Sequence, residues 1–465
     1  MSNTTSEHFD ALLIGVGQAN KPLALTVAEK GWKTAVIERK FVGGSCINYG
    51  CTPTKTLIAS AQVAHQARRA SEYGILTGDV RVDYPAVKRR KNQIVEQFRN
   101  GIQQSFDEAD NLTLIRGEAR FSGPKQVEVT QPDGNTRTLT ADHIFIDTGT
   151  SPRQPDLPGL ETVPWLTSTT LMDLDECPQH LLILGGGYIA LEFGQLFRRL
   201  GSEVTLIERG SQLLSHEDEE IASEIATFLT EEGIRIHLDS TVEQVSRNDA
   251  GGIELLLKTG QGAKTVSGSH LLVATGSTPN TAVLQLDAAA IKTDAEGYIQ
   301  VNERLETTQP GVYALGDVKG GPAFTHISYD DFRIVRQNLL EGGSAAITDR
   351  PVPYTVFTDP QLGRIGLSER EARKQGRNVS IASMPMSRVA RALETSQPNG
   401  LLKVVVDADS GQMLGAAMLG MEGGELMAMI QIAMMGNLSY QQLRDAVFAH
   451  PTLAEALNNL FAQLD

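Results

Sequence analysis

Short apolar runs with no polar alternation recur along the first two thirds of this chain, separated by amphipathic stretches. Ala11-Leu12-Leu13-Ile14 is one such run. A helical pattern follows it to Lys30, and a second run, Thr34-Ala35-Val36-Ile37, ends on Glu38. Unbroken runs of this length predict strands buried on both faces, as in a parallel sheet with helical crossovers. The order then repeats: Leu181-Leu182-Ile183-Leu184, a helical pattern through Leu200, and Val204-Thr205-Leu206-Ile207 ending on Glu208. The runs 144–149 and 272–276 both end in Thr-Gly, and the run 312–317 ends in Gly-Asp. Beyond about residue 351 the pattern changes. Segments 353–357, 364–367, 402–406 and 413–419 predict antiparallel strands, the last two flanking a turn at 407–411. A methionine-rich helical stretch follows, with Met418, Met421, Met427, Met429, Met434 and Met435. That spacing places it in a core or dimer interface rather than at a metal.

Glycines sit where the first two repeats turn from strand to helix. Gly15-Val16-Gly17-Gln18-Ala19-Asn20 and Gly185-Gly186-Gly187-Tyr188-Ile189-Ala190 both match a dinucleotide fingerprint. The glycines allow a tight turn and close approach of backbone to a pyrophosphate seated on a helix N-terminus. In each repeat an acid lies 21 positions beyond the second glycine (Gly17 to Glu38, Gly187 to Glu208), placed to bond a ribose hydroxyl. Two such units predict two bound nucleotides. Asn20 departs from the fingerprint, whose third position is small. It is expected to crowd helix against strand unless its amide turns toward the phosphate. Gly149 and Gly276 each close a nucleotide unit, and the return of a strand at 312–317 implies one nucleotide domain split around another.

Composition adds exclusions. A net charge of −15 argues against nucleic acid or an anionic membrane as partner. No apolar run is long enough to span a bilayer, and the polar stretch Met1–Phe9 does not read as a secretory signal. Three cysteines in 465 residues do not form a secreted disulfide framework, so a cytoplasmic location is expected.

Two of those cysteines lie in Gly43-Gly44-Ser45-Cys46-Ile47-Asn48-Tyr49-Gly50-Cys51-Thr52-Pro53-Thr54-Lys55. Cys51 follows Gly50 and precedes Pro53 near a predicted helix start, where the dipole and unpaired amides stabilise a thiolate. Two thiols closing there make a disulfide that can be opened and remade, and a nearby flavin could supply electrons to it. A zinc site is not expected, because two thiols lack a matching second pair. Cys177, in an acidic turn, reads as an incidental thiol.

Over essentially its whole length the chain resembles class I pyridine nucleotide–disulfide oxidoreductases, the group of dihydrolipoamide dehydrogenase, glutathione reductase and mercuric reductase. The resemblance rests on Gly43–Lys55, both fingerprints, the Thr-Gly strands, Leu315-Gly316-Asp317, and His450-Pro451-Thr452 with Glu455. Ser45 and Thr54 are mild variants of the usual residues. The resemblance implies an α/β fold with two Rossmann-like domains, the NAD(P) domain inserted in the FAD domain, and a C-terminal α+β dimerisation domain. The implied boundaries are 1–150 and 285–350 for FAD, 151–284 for NAD(P)H and 351–465 for the interface.

It also implies FAD held by Gly15, Gly17, Glu38, Gly44, Gly149, Gly316 and Asp317, with His326 near the flavin or capping its helix. NADH or NADPH is held by Gly185, Gly187, Glu208 and Gly276. Lys55 and Glu192 form the pair beside the flavin. Cys51 is the charge-transfer thiol and Cys46 the interchange thiol. His450 and Glu455, supplied by the partner of a homodimer, move a proton to or from it.

The stretch Phe324–Leu340 looks nearest to the mercuric-reductase-like subgroup, which includes a bacterial flavoprotein of reactive-chlorine resistance. The last eight residues carry no thiol, which speaks against dedicated mercury handling. The expected activity is electron transfer from NAD(P)H through FAD and Cys46–Cys51 to a small disulfide, oxidant or soft metal ion. Dihydrolipoamide dehydrogenase is the alternative, on the strength of Phe448–Glu455. A non-catalytic flavin-binding sensor or scaffold is disfavoured by the joint presence of Cys46, Cys51, His450 and Glu455. Glu208 favours NADH, because a carboxylate repels a 2′-phosphate, while Arg209 beside it could pair with that phosphate.

Overall fold

In a computed structural model the described residues are 6–249 and 251–464; Met1–Thr5, part of the polar N-terminal stretch, Ala250 and Asp465 lie outside them. The chain forms two compact units. One takes the chain up to Thr56, Arg89–Arg153 and Gly276–Arg350; the other takes Leu57–Lys88, Gln154–Thr275 and the chain from Pro351.

The first unit is built on a seven-stranded sheet. Its parallel core contains β1 (Glu7–Ile14), β2 (Thr34–Glu38) and β3 (Thr136–Ile146), with α1 (Asn20–Glu29) crossing from β1 to β2. The strand Leu112–Arg116 extends the sheet beyond β2. β3 is shared: its first half pairs antiparallel with Gln126–Thr130, and its last residues pair parallel with Val312–Ala314. Successive side chains of a strand point to opposite faces. Leu12 and Ile14 accordingly enter one apolar cluster with Phe9, Phe121 and Val312, while Ala11 and Leu13 enter another with Leu23, Val27 and Phe145. Burial on both faces explains why the run is unbroken in the sequence.

The second unit repeats the arrangement. β4 (His180–Leu184) and β5 (Glu203–Ile207) lie parallel in a five-stranded sheet, joined by α3 (Tyr188–Leu200); α2 (Cys51–Arg68) precedes both in the chain. Gly187 caps the start of α3 in extended conformation, and Gly201 ends it in the left-handed conformation common at helix C-termini. A three-stranded antiparallel meander, 241–268, accompanies this sheet; its short alternating segments were not singled out in the sequence.

From residue 354 the chain forms a five-stranded antiparallel sheet, with Met413–Gly420 between Gln361–Gly366 and Leu401–Asp407. The methionine-rich segment is divided rather than wholly helical. Met418 is fully buried in the strand Met413–Gly420, and the helix spans only Gly423–Met435. Met427 is buried, whereas Met429 and Met435 are 39% and 68% exposed. Among the described residues no helix is long and apolar enough to cross a membrane.

Candidate functional site

The glycine loop between β1 and α1 is a cradle that a side chain would fill. Gly15 has φ +86°, and a Cβ there would stand 2.4 Å from the Asp147 carbonyl oxygen. A Cβ on Gly17 would meet the Asp147 carboxyl at 2.4 Å, and one on Gly44 would lie 2.9 Å from the Gly17 Cα. Glu38, buried at the end of β2, accepts from the Val16 N–H at 3.1 Å and the Lys40 N–H at 2.8 Å. The carboxylate is thereby fixed beside the loop, where a ribose would lie. Gly316 lies beside the Asp147 carboxyl, and burial pushes the Asp317 carboxyl above the usual range. Gly149 follows β3 with open space at its Cα, and the His326 ring stacks on Phe324 at 5.4 Å. Close backbone approach, open space and a fixed acid fit the adenine half of FAD.

Asn20 neither crowds the helix outward nor turns its amide toward a phosphate. Its Nδ2 donates inward to the carbonyls of Gly15 (3.0 Å), Phe145 (3.2 Å) and Ile14 (3.3 Å).

The second loop has the same construction. Gly185 has φ +121°, with a Cβ position 2.5 Å from the Ala274 carbonyl oxygen, and nothing lies near the Cα of Gly187. Glu208 accepts from the Gly210 N–H at 2.7 Å. These features fit a second dinucleotide. Gly276, expected with this group, falls at the start of a segment of the first unit. Glu192 is buried on α3 and accepts from the Phe357 N–H at 2.9 Å; Lys55 lies in the first unit, on α2.

Cys46 lies in the short helix Gly44–Asn48, and Cys51 is the first residue of α2, at the positive end of its dipole. Cys51 is exposed and Cys46 partly buried. A hydrogen bond with Cys51, together with burial, pushes the Cys46 thiol well above its ordinary range; the Thr325 hydroxyl and the charge of Lys55 act the other way. The intervening turn is clamped by Asn48, whose Nδ2 donates to the Val42 and Gly44 carbonyls, both at 2.9 Å, and whose Oδ1 accepts from Arg99 Nε at 2.8 Å.

Thr325, which opens the helix Thr325–Leu340, places its Oγ1 3.3 Å from the Cys51 Sγ. No motif marks Thr325 or Arg99, because each reaches the thiol segment from a distant part of the chain. Thr325→Val removes a hydroxyl that favours the thiolate. The ultraviolet thiolate titration of Cys46 is expected to move to higher pH, since the lost hydrogen bond favoured its charged form. An unchanged titration would show that the hydroxyl does not act on the sulfurs.

In the second unit, His450 Nδ1 lies 2.8 and 3.0 Å from the two carboxylate oxygens of Glu455, which precedes the helix Ala456–Phe461. Nδ1–H is the donor to the carboxylate, which leaves Nε2 as the acceptor of a proton. The His450 side chain is 68% exposed. Among the described residues no group of three or more His, Cys, Asp or Glu is placed to hold a metal ion.

Residues 9–331 match the family model described as pyridine nucleotide-disulphide oxidoreductase, and residues 352–461 match its dimerisation domain. The chain is 38% identical over 458 residues to the probable pyridine nucleotide-disulfide oxidoreductase RclA of Escherichia coli, covering 98% of this chain and 99% of that one. It is 35% identical over 452 residues to a mercuric reductase of Lysinibacillus sphaericus, covering 97% and 82%. A solved Cu(II) complex of RclA, described as an HOCl-induced flavoprotein disulfide reductase from Escherichia coli, superposes with a TM-score of 0.90 at 37% identity, covering 99% of this chain and all of that one. With two dinucleotide cradles, matching models over most of its length and these relatives, the chain belongs to the pyridine nucleotide-disulfide oxidoreductase family, and is an FAD- and NAD(P)H-dependent flavoprotein oxidoreductase of the disulfide- and metal-ion-reducing kind.

Proposed function

We propose that Cys46 and Cys51 form the redox pair of this enzyme, and that its acceptor is a small disulfide, an oxidant or a soft metal ion such as Cu(II). The observation that carries the reading is the hydrogen-bonded pair itself, with Cys51 at the α2 N-terminus against Thr325 and Cys46 held in its thiol form. FAD, held by Gly15, Gly17, Glu38, Gly44, Gly149, Gly316 and Asp317 with His326 near the flavin, supplies the electron pair drawn from NAD(P)H.

Two electrons and one proton open the Cys46–Cys51 bond to a Cys46 thiol and a Cys51 thiolate. A thiol is a poor nucleophile, and one held well above its ordinary range needs a base. His450, oriented by Glu455 through Nδ1, is that base, and we assign it to the partner subunit of a homodimer formed through residues 351–465. With a disulfide acceptor, the Cys46 thiolate attacks one sulfur and expels the other as a thiolate, which takes the proton from His450. Cys51 then attacks Cys46 of the mixed disulfide, releasing the second thiolate and restoring the Cys46–Cys51 bond. With Cu(II), the same two electrons yield two Cu(I) ions. Lys55 and Glu192 belong beside the flavin in this scheme. Residues 1–150 and 285–350 then form the FAD domain and 151–284 the NAD(P)H domain.

NADH is the preferred donor on this reading, with Gly185, Gly187 and Gly276 shaping the site. Glu208 is fixed at the end of β5 by the Gly210 amide, where it repels a 2′-phosphate. Glu208→Ala is expected to raise the NADPH/NADH ratio of kcat/KM roughly tenfold, the equivalent of ~1.4 kcal/mol. An unchanged ratio would remove Glu208 from nucleotide selection.

The test of function is oxidation of NADH and NADPH by the FAD-loaded enzyme with lipoamide, glutathione disulfide, Cu(II) or Hg(II) as acceptor. Metal-ion or small-disulfide turnover that disappears in Cys46→Ser, with lipoamide inert, supports the proposal. Reversible lipoamide turnover with NAD⁺ would instead make this a dihydrolipoamide dehydrogenase.

A further inference from the structure

The helix that opens the first nucleotide unit already holds an acid at its N-terminus. Asp147 stands at the end of the third strand of the first unit, directly beyond Ile146, and is buried. Its Oδ2 accepts from the N–H groups of Ala19 (3.2 Å) and Asn20 (2.9 Å), the amides at which α1 begins. A Cβ on Gly17 would meet all three atoms of its carboxyl within 2.6 Å, and one on Gly316 would stand 2.7 Å from Oδ1. The carboxyl therefore lies against the inner side of the loop whose outer side is the dinucleotide cradle. Beside it the Asn20 side chain is fully buried, and its Oδ1 has no hydrogen-bond partner.

We infer that Asp147 couples FAD retention to a proton: as a neutral acid it leaves the positive end of α1 to the FAD diphosphate, and as a carboxylate it competes for that end and repels the diphosphate. A helix N-terminus stabilises nearby anionic charge, and its capacity is limited to about half an elementary charge. A buried carboxylate and a diphosphate on the same terminus are like charges in a poorly solvated place, so one of them must be neutralised. The diphosphate is the stronger acid and stays charged, so the proton goes to the carboxyl.

The surroundings favour its neutral form. Asp317 and Asp331 are the other acids acting on it, and burial and both acids push the Asp147 carboxyl far above its ordinary range, against the two amide bonds. Two cations engage its neighbour Asp331 instead. Lys319 Nζ lies 3.3 Å from Asp331 Oδ2, and Arg350 lies 2.6 Å from Asp331 Oδ1. Asp331 Oδ2 also accepts from the Gly316 N–H at 2.8 Å. No cation is recorded against Asp147 itself among the described residues. The sign follows: its carboxyl ionises only at raised pH, so FAD affinity is full while it is protonated and falls as pH rises through its ionisation.

This rests on FAD occupying the first nucleotide unit, and the experiment separates the two. Holoenzyme is dialysed and filtered at several pH values between 6 and 9.5, retained flavin is read by absorbance, and FAD dissociation constants are obtained by fluorescence on reconstitution. Wild type is expected to lose affinity as pH rises through the ionisation of Asp147, by up to ~10-fold per pH unit, the limit for release of one linked proton. Asp147→Asn keeps the shape without the charge and is expected to hold FAD with no such slope. Asp317→Asn, at the other raised acid, is expected to bind more weakly but to keep the slope.

Should Asp147→Asn fail to fold, FAD binding to wild-type apoenzyme by calorimetry in two buffers of different ionisation enthalpy gives the same answer through proton uptake. A wild-type slope that survives in Asp147→Asn, a slope lost in Asp317→Asn, or no proton uptake would overturn the inference. Failure to bind flavin at any pH would overturn the placement of FAD instead.

Discussion

Cys46→Ser is expected to abolish acceptor reduction, by on the order of 10³-fold or more, the scale on which removal of a covalent nucleophile acts. Serine has nearly the volume of cysteine, so the turn clamped by Asn48 and Arg99 should survive it. What it cannot do is form a bond to Cys51 Sγ or to an acceptor sulfur, so the electron pair has no route out. Oxidation of NAD(P)H by the bound flavin needs neither sulfur. Rapid mixing with NADH under anaerobic conditions should therefore still bleach the flavin, while steady-state turnover with disulfide or Cu(II) is lost. Survival of turnover at more than about a tenth of wild type would mean that the flavin delivers electrons to the acceptor directly. Cys177 provides the control. It sits partly buried against the Ser202 hydroxyl in the second unit, and Cys177→Ser is expected to leave turnover within about twofold.

His450→Gln is expected to lower turnover of disulfide acceptors by about 10²–10⁴-fold, the usual worth of a positioned acid or base. The magnitude follows from the state of Cys46. Its thiol is held up by Cys51 and by burial, so the thiolate is scarce without a base. Glu455→Gln keeps a partner for Nδ1 but removes the charge that steadies the imidazolium, and a smaller loss, roughly tenfold, is expected. Reduction of Cu(II), which binds thiolates and releases their protons to solvent, should fall less than disulfide reduction. Equal losses with both acceptors would assign His450 to structure rather than to proton transfer.

How much of this could be read along the chain depends on separation. The glycine loops, their strands and the acids at the strand ends lie within about forty residues of one another, and close packing demands particular residue types at particular spacings. Such local demands leave a mark in sequence. The thiol pair is marked in the same way, by Gly43 and Gly44 before it, Gly50 within it and Pro53 after it. Thr325 and Arg99 leave none, since a threonine at a helix start and an arginine on an amphipathic helix suit many folds. Asn20 and Asp147 were visible as residues but not as a pair: 127 positions separate them, and only the parallel pairing of the third strand with the first brings the end of one beneath the helix that follows the other.

By itself, the sequence determined the α/β class, the repeat of two nucleotide units, the antiparallel C-terminal sheet and the family, because each follows from short-range periodicity and motif spacing. The tertiary structure alone decided that Asn20 turns inward to three carbonyls, that Thr325 lies against Cys51, and that a buried acid occupies the start of α1. Those outcomes depend on sheet register and on which distant side chains share a buried volume. Burial acts without regard to separation along the chain, and it changes what a carboxyl, an amide or a thiol does once water is gone.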